Sequence, residues 1–139
     1  MRSIKAVLVA LALVVGSFSS PLVAGEKDPL FIGLSSDAVP RVSHVLHFAG
    51  LQLMRGHPLT IWLNEKGVLL ASRKHTAQLA DQQKTLAELM SKGASVLVCG
   101  YCMKQFDLKE ADLLPGFQAG NPDLVGSALF KDDTKTLSW

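Results

Sequence analysis

The sequence has few aromatic residues, only two cysteines and no block of like charge. Aromatic side chains make up 6% of the 139 residues, too few to suggest the stacking surface of a single-stranded nucleic-acid binder. No repeat or low-complexity segment stands out, and neither do paired carboxylates, a serine–histidine–aspartate order or a glycine-rich phosphate loop. The 48% hydrophobic and 19% charged residues instead predict one globular domain with a hydrophobic core.

The N-terminal segment has the pattern of a secretory signal peptide. Arg2 and Lys5 precede the unbroken apolar run Ala6–Val15, and small residues follow as far as Gly25. This order of a basic, an apolar and a small-residue region is typical of a leader that is removed after export. The apolar run is shorter than the roughly 20 residues that span a bilayer, so we expect no stable membrane anchor.

Cleavage is predicted after Gly25, with Ala24 as the alternative, which makes residues 1–25 the signal peptide and 26–139 the mature domain. The location is then periplasmic or secreted. The chain's formal net charge of +2 comes from the two basic residues of the leader, so the mature domain is neutral. A neutral domain has no electrostatic footprint for nucleic acid, and we expect no nucleic-acid partner.

In the mature chain, short apolar runs alternate with stretches of helical periodicity. This alternation predicts an α/β fold with a five-stranded, mostly parallel sheet and helices on both faces. In such sheets, functional sites form beyond the carboxyl ends of the strands, and the third strand runs directly into Cys99. The predicted strands are Leu30–Leu34, Pro58–Leu63, Ser95–Val98, Phe117–Ala119 and Lys135–Trp139.

Both cysteines of the chain lie in one four-residue window, Cys99-Gly100-Tyr101-Cys102. A C-x-x-C pair can be a redox dithiol, half of a metal site, a haem attachment or a small structural loop. Haem attachment requires histidine where Met103 stands, and a tetrahedral zinc site needs four ligands. A Cu(I) site that includes Met103 and a structural disulfide remain open. We predict thiol chemistry without a cofactor or metal.

Cys99 is the expected reactive sulfur, with Cys102 as the second catalytic residue. A cysteine at the start of a helix has its thiolate stabilised by unpaired backbone N–H groups. Gly100 allows close approach of the backbone, Lys104 adds a positive charge one turn later, and Tyr101 could gate access to the sulfur. These features predict a pKa for Cys99 below the free value of about 8.5, and they make Gly100, Tyr101 and Lys104 the candidate substrate-binding residues.

The outer side of the first predicted helix carries polar and apolar residues that its core-facing side does not need. Its two histidines, three positions apart, could ligate a metal but are more simply solvent-exposed. The three apolar residues predict a contact with another subunit or with a covering loop. These residues are His44, His47, Phe48, Leu51 and Met54.

Several segments, in their order and spacing, resemble the DsrE/DsrF-like sulfur-relay family over about Leu30 to Trp139. The most specific is the third strand with its cysteine, followed by a leucine-leucine-proline-glycine turn. The segments are Ala94–Cys99, Leu113–Phe117, Arg55-Gly56-His57, Leu59–Leu63, Gly67-Val68 and Leu137–Trp139.

The resemblance implies a three-layer α/β sandwich that assembles into trimers or hexamers. It also implies that the cysteine ending the third strand, matched by Cys99, accepts a persulfide sulfur and passes it to a partner. Cys102 has no counterpart in the relay subunits, and the signal peptide is a second departure from them. Together they favour an exported protein in persulfide transfer or thiol redox chemistry, with a sulfur donor or acceptor protein or a small thiol as partner. A sulfurtransferase-like activity stays open, as does a non-enzymatic oligomeric binding module.

Overall fold

The computed structural model describes Gly25 and residues 27–139, so the predicted signal peptide lies outside the described residues except for Gly25. Five strands and four α-helices alternate along the described chain, with two 3₁₀ helices between the second strand and the second α-helix. The strands are β1 (Leu30–Leu34), β2 (Leu59–Leu63), β3 (Ser95–Cys99), β4 (Gln118–Gly120) and β5 (Lys135–Ser138). The helices are α1 (Val39–Met54), α2 (Thr76–Ser91), α3 (Gly100–Gln105) and α4 (Pro122–Leu129). The two 3₁₀ helices before α2 are Glu65–Ala71 and Arg73–His75, and a third, Glu110–Asp112, precedes β4.

All strands run parallel in one sheet of order β4-β3-β2-β1-β5. The predicted α/β fold with a five-stranded sheet is confirmed, and the sheet is parallel throughout. Such a sheet requires a crossover connection between successive strands, which the helices supply. None of the described helices is long and apolar enough to cross a membrane.

One face of the sheet holds the main hydrophobic core. Ile61 lies between Ile32 of β1 and Val96 of β3 in the strand register, and all three are buried. The helices α1 and α2 cover this face with their apolar sides, which include Val45 and Leu86. Burial of these branched side chains supplies most of the driving force for folding.

The opposite face is covered far more thinly. Phe31, Trp62 and Leu97 point to it, and α4 is the helix packed there, with Val125 near both Leu97 and the β4 backbone. None of the residues of α4 is buried, and the adjoining Phe130 is 82% exposed. The two outer layers of the three-layer arrangement therefore differ strongly in how much they bury: α1 and α2 cover a buried core, whereas α4 covers its face only in part.

The segment 72–74 and the segment 112–113, which lie far apart in sequence, are held together by three contacts. Ser72 pairs with Leu113 in an isolated β-bridge, and an Arg73 guanidinium N–H donates to the Leu113 carbonyl at 2.8 Å. The Lys74 ammonium bonds the Asp112 carboxylate at 2.8 Å. That hydrogen bond from Lys74, together with the backbone N–H of Lys109, holds the pKa of Asp112 below its ordinary value of 3.8.

This tie is expected to weaken in acid. A carboxylate with a lowered pKa in the folded state contributes stability above its unfolded pKa and loses it as pH falls through the folded value. Denaturant unfolding followed from about pH 5 downwards should therefore show a smaller loss of stability in Asp112→Asn than in the wild type. Asp81→Asn, at an exposed aspartate in the interior of α2, is the control and should keep the wild-type slope.

Candidate functional site

The cysteine pair lies at the carboxyl edge of the sheet, where β3 ends at Cys99 and α3 begins at Gly100. Cys99 and Cys102 form a disulfide in the structure, with their Cα atoms 5.2 Å apart. Because α3 starts immediately, one helical turn brings Cys102 back over Cys99. The site is thus built from one strand end and one turn of helix.

The backbone of this turn favours negative charge on one of the two sulfurs. The Cys102 N–H donates to Cys99 Sγ at 3.1 Å, and a donor aimed at sulfur stabilises a thiolate. Both cysteines are half-buried, so the pair lies at the edge of the core and not inside it. In a reduced pair with this backbone geometry, the same N–H would favour a thiolate at Cys99 over one at Cys102.

Two cavities adjoin the disulfide, one at each cysteine. The cavity at Cys102 measures about 390 Å³ and is bordered by Ser35, Glu65 and Lys66 as well as by α3. The cavity at Cys99 measures about 330 Å³ and lies between Trp62, the end of β4 and the inner side of α4. Tyr101, 75% exposed, borders both of them. The two sulfurs therefore face different chemical environments.

The structure brings together four of the five predicted site residues. Cys99, Gly100 and Tyr101 line one cavity, and Cys102 lines the other with Tyr101. Lys104 instead borders a third cavity that neither cysteine lines. Gly100 would tolerate a Cβ, which would lie 3.6 Å from the Gly120 carbonyl oxygen, an ordinary contact distance. The surrounding structure therefore does not require glycine at position 100.

The sequence patterns do not indicate the residues that form the outer wall of the Cys99 cavity. Trp62 lines it from the neighbouring strand β2, and its indole nitrogen is buried without a hydrogen-bond partner among the described residues. Val125, Leu129 and Phe130 line it from α4 and the residue after it. Their apolar spacing in the sequence predicts only a helix that packs on the sheet. The one usable signal is that Trp62 lies next to the last residue of β2, the strand beside β3.

Metal-ligating side chains do not cluster in the part of the chain that the structure describes. No group of three or more histidine, cysteine, aspartate and glutamate side chains there could hold an ion. His44 and His47 are both exposed on α1. Phe48 packs against Trp139 with ring centroids 6.0 Å apart, whereas Leu51 and Met54 stay exposed.

Comparison with known proteins decides the family. The family model described as DsrE/DsrF-like matches residues 30–132, which include every strand except β5. The chain belongs to the DsrE/DsrF-like family. The predicted resemblance is thereby confirmed, and the cysteine pair lies inside the matched region.

Relatives of this DsrE/DsrF-like chain support the same fold. It is 33% identical over 99 residues to the uncharacterized protein MJ0989 of Methanocaldococcus jannaschii, a match covering 70% of this chain and 87% of that protein. A protein of unknown function from Methanobacterium thermoautotrophicum superposes with a TM-score of 0.66 at 13% identity, covering 81% of this chain and 100% of that one. The ychN protein of E. coli superposes with a TM-score of 0.62 at 13% identity, over 81% and 99% of the two chains.

Proposed function

We propose that this DsrE/DsrF-like protein exchanges sulfur at Cys99, with Cys102 as the resolving thiol. The observation that carries the proposal is the cysteine pair itself, which is closed as a disulfide at the carboxyl edge of a parallel sheet and is only half-buried. That edge is where α/β folds bind and transform ligands. The Cys102 N–H directed at Cys99 Sγ supports Cys99 as the attacking thiolate.

The chemistry takes two steps from the reduced pair. The Cys99 thiolate attacks the outer sulfur of a donor persulfide, a bond forms between the two sulfurs, and the donor leaves as a thiolate. Cys102, as thiolate, then attacks Cys99 Sγ, forms the disulfide and expels the carried sulfur as hydrosulfide. The two electrons that reduce the sulfur come from the dithiol, so a reductant of the thiol class must restore the pair.

The predicted signal peptide sets the conditions under which this cycle would run. In a periplasmic or extracellular compartment the pair rests as the disulfide unless a thiol reductant keeps it open. We propose a sulfur donor or acceptor protein, or a small thiol, as the partner.

We also propose a homo-oligomer, because Leu51 and Met54 expose apolar area on α1 beyond the part that covers the core.

The test is intact-mass analysis of the reduced protein after incubation with a polysulfide donor. We expect Cys102→Ser to retain one added sulfur atom, because the resolving thiol is missing. Cys99→Ser should carry none. Wild type should return to the disulfide and release sulfide. Lys84→Gln, which alters an exposed side chain of α2 outside both cysteine cavities, is the control and should behave as wild type.

Two results would contradict the proposal. If Cys99→Ser retained the sulfur atom and Cys102→Ser did not, the roles would be reversed. If neither cysteine reacted after mild reduction, and the pair had a reduction potential below about −300 mV, the disulfide would be structural. The protein would then be better described as a binding module.

The pair is also expected to open without unfolding the domain. A disulfide that closes so short a loop contributes only about 2 kcal/mol through chain entropy. This is a minor share of the free energy of unfolding of a typical domain, which is roughly 5–15 kcal/mol. The free energy of unfolding should therefore fall by about 2 kcal/mol on reduction while the far-ultraviolet spectrum stays unchanged. The measurement is urea unfolding with and without reductant, with Cys99→Ala/Cys102→Ala as the control. A loss of fold on reduction would indicate a structural disulfide.

A further inference from the structure

We infer that the cavity at Cys99 binds the uncharged, apolar substituent of a low-molecular-weight thiol or persulfide that exchanges sulfur there. This inference rests on the proposed function and adds the class of substrate. It starts from the difference between the two cavities at the disulfide. The cavity at Cys102 contains Glu65 and Lys66, whereas none of the residues lining the cavity at Cys99 carries a charge at neutral pH.

The walls of the Cys99 cavity come from β2, from the end of β4 and from α4, and they are mainly apolar. Trp62 contributes an aromatic ring from β2, and Val125, Leu129 and Phe130 contribute side chains from α4 and the residue after it. Its volume of about 330 Å³ lies at the lower end of the range for small-molecule sites. A substituent bonded to a sulfur at Cys99 has this space directly beside it.

Charge would be unfavourable in this position. A carboxylate or ammonium moved from water into this cavity loses hydration and meets no side chain of opposite charge in the lining. An apolar substituent instead removes its own surface and that of the cavity from water, which is favourable. The preference applies to the exchange in both directions, because the substituent occupies the same cavity in the mixed disulfide.

The exchange step itself balances without any further reactant. A thiolate attacks Cys99 Sγ, the bond between Cys99 and Cys102 breaks, and Cys102 leaves as a thiolate that takes a proton from water. The product is a mixed disulfide between Cys99 and the thiol. The cavity acts on this step by holding the substituent of the attacking thiol.

Gly126 provides a variant that fills the cavity without disturbing the fold. A Cβ built on Gly126 meets only Phe130 Cδ2 within contact range, at 3.8 Å, and both residues line the Cys99 cavity. Leucine is also a much better helix former than glycine. Gly126→Leu should therefore fold and occupy the space. Ser127→Leu changes the next, exposed position of α4, which does not line this cavity, and is the matched control.

The experiment measures reduction of the purified, oxidised full-length protein by benzyl mercaptan, 2-mercaptoethanol and 3-mercaptopropionate. Each rate is corrected for thiolate concentration and divided by the rate with an oxidised peptide of sequence CGYC. We expect benzyl mercaptan to react about tenfold faster than 3-mercaptopropionate on this scale, with 2-mercaptoethanol between them. Gly126→Leu should bring that ratio close to one, and Ser127→Leu should keep it.

Three outcomes distinguish this inference from the function on which it rests. Equal corrected rates for the three thiols would overturn the inference and leave sulfur exchange at Cys99 intact. A preference that persists unchanged in Gly126→Leu would also overturn it, because the selecting surface would then lie elsewhere. Failure of every thiol to open the disulfide would overturn both the inference and the proposed function.

Discussion

Gly67→Ala is expected to lower the free energy of unfolding by about 3 kcal/mol, the upper part of the range for overpacking. Gly67 is buried in the 3₁₀ helix that follows β2, and a Cβ there would overlap the Leu34 carbonyl oxygen at the end of β1. The obstacle is backbone, which cannot move aside as the end of a flexible side chain can. The carboxyl edge of β1 and the segment after β2 would have to separate.

The separation would also reach the candidate site. Ser35, directly after β1, donates from its hydroxyl to Asn64 Oδ1 at 2.7 Å, and Ser35 borders the cavity at Cys102. Urea unfolding measures the stability effect. Gly126→Ala is the control, because its Cβ has space in a helix and should raise stability by about 0.5–1 kcal/mol. An unchanged midpoint in Gly67→Ala would mean that the two segments can separate at little cost.

Ile61→Ala is expected to cost about 4 kcal/mol of unfolding free energy. Ile61 is fully buried in the central strand, between Ile32 and Val96. Truncation of the isoleucine side chain to a methyl group removes the free energy gained by transferring the deleted atoms from water to the core. It also leaves a cavity that the rigid neighbouring strands cannot close. Against a total stability of roughly 5–15 kcal/mol, this change alone would bring a weakly stable domain close to unfolding.

A matched substitution on the same face tests whether burial is the cause. Leu137 of β5 is level with Ile32 in the register but lies in an edge strand and is 36% exposed. Leu137→Ala should cost at most about 1 kcal/mol. Equal losses at Ile61 and Leu137, measured as shifts of the urea midpoint at constant slope, would contradict the unequal burial on which the prediction depends.

The sequence was sufficient to predict the strand order along the chain and the position of the cysteine pair. Short apolar runs bounded by turn residues identify buried parallel strands, and Cys99 follows such a run directly. Gly56 and Gly93 follow the helical periodicity of α1 and α2, where a glycine predicts the end of a helix, and they adopt φ values of 94° and 98°. Glycine tolerates this left-handed conformation, which is why single residues identified these helix ends.

The details of the helices could not be predicted as well. Thr85 and Glu88 have the spacing of a capping box, which predicts a break in α2 near Gln82. The non-helical residue inside α2 is instead Leu79, and the Thr85 hydroxyl donates to the Asp81 carbonyl within the helix. Gln82 instead bonds the Ser43 hydroxyl of α1. Such contacts depend on how two helices pack, and local propensity contains no information about them.

The sequence predicts where the two sulfur atoms of the candidate site lie, but not which residues line the cavities beside them. Cys99 and Cys102 are neighbours in sequence, so one turn of helix suffices to bring them together. Trp62 and Phe130 reach the same cavity only through the sheet order and the path of α4 across its face. The position of Lys104 beside a different cavity likewise depends on the rotation of α3, which six residues of sequence do not determine.

The pairing of β1 with β5 has a consequence for self-association. Leu30 pairs with Leu59 on one side and with Lys135 on the other, so the second pairing closes a much longer loop and is entropically the costlier to form. We expect β5 to dock last during folding and to open first in native-state fluctuations. Each opening would uncover the backbone edge of the apolar strand Leu30–Leu34, a template for intermolecular strand pairing. While it is docked, the exposed and mainly polar β5 covers this edge and so prevents such pairing.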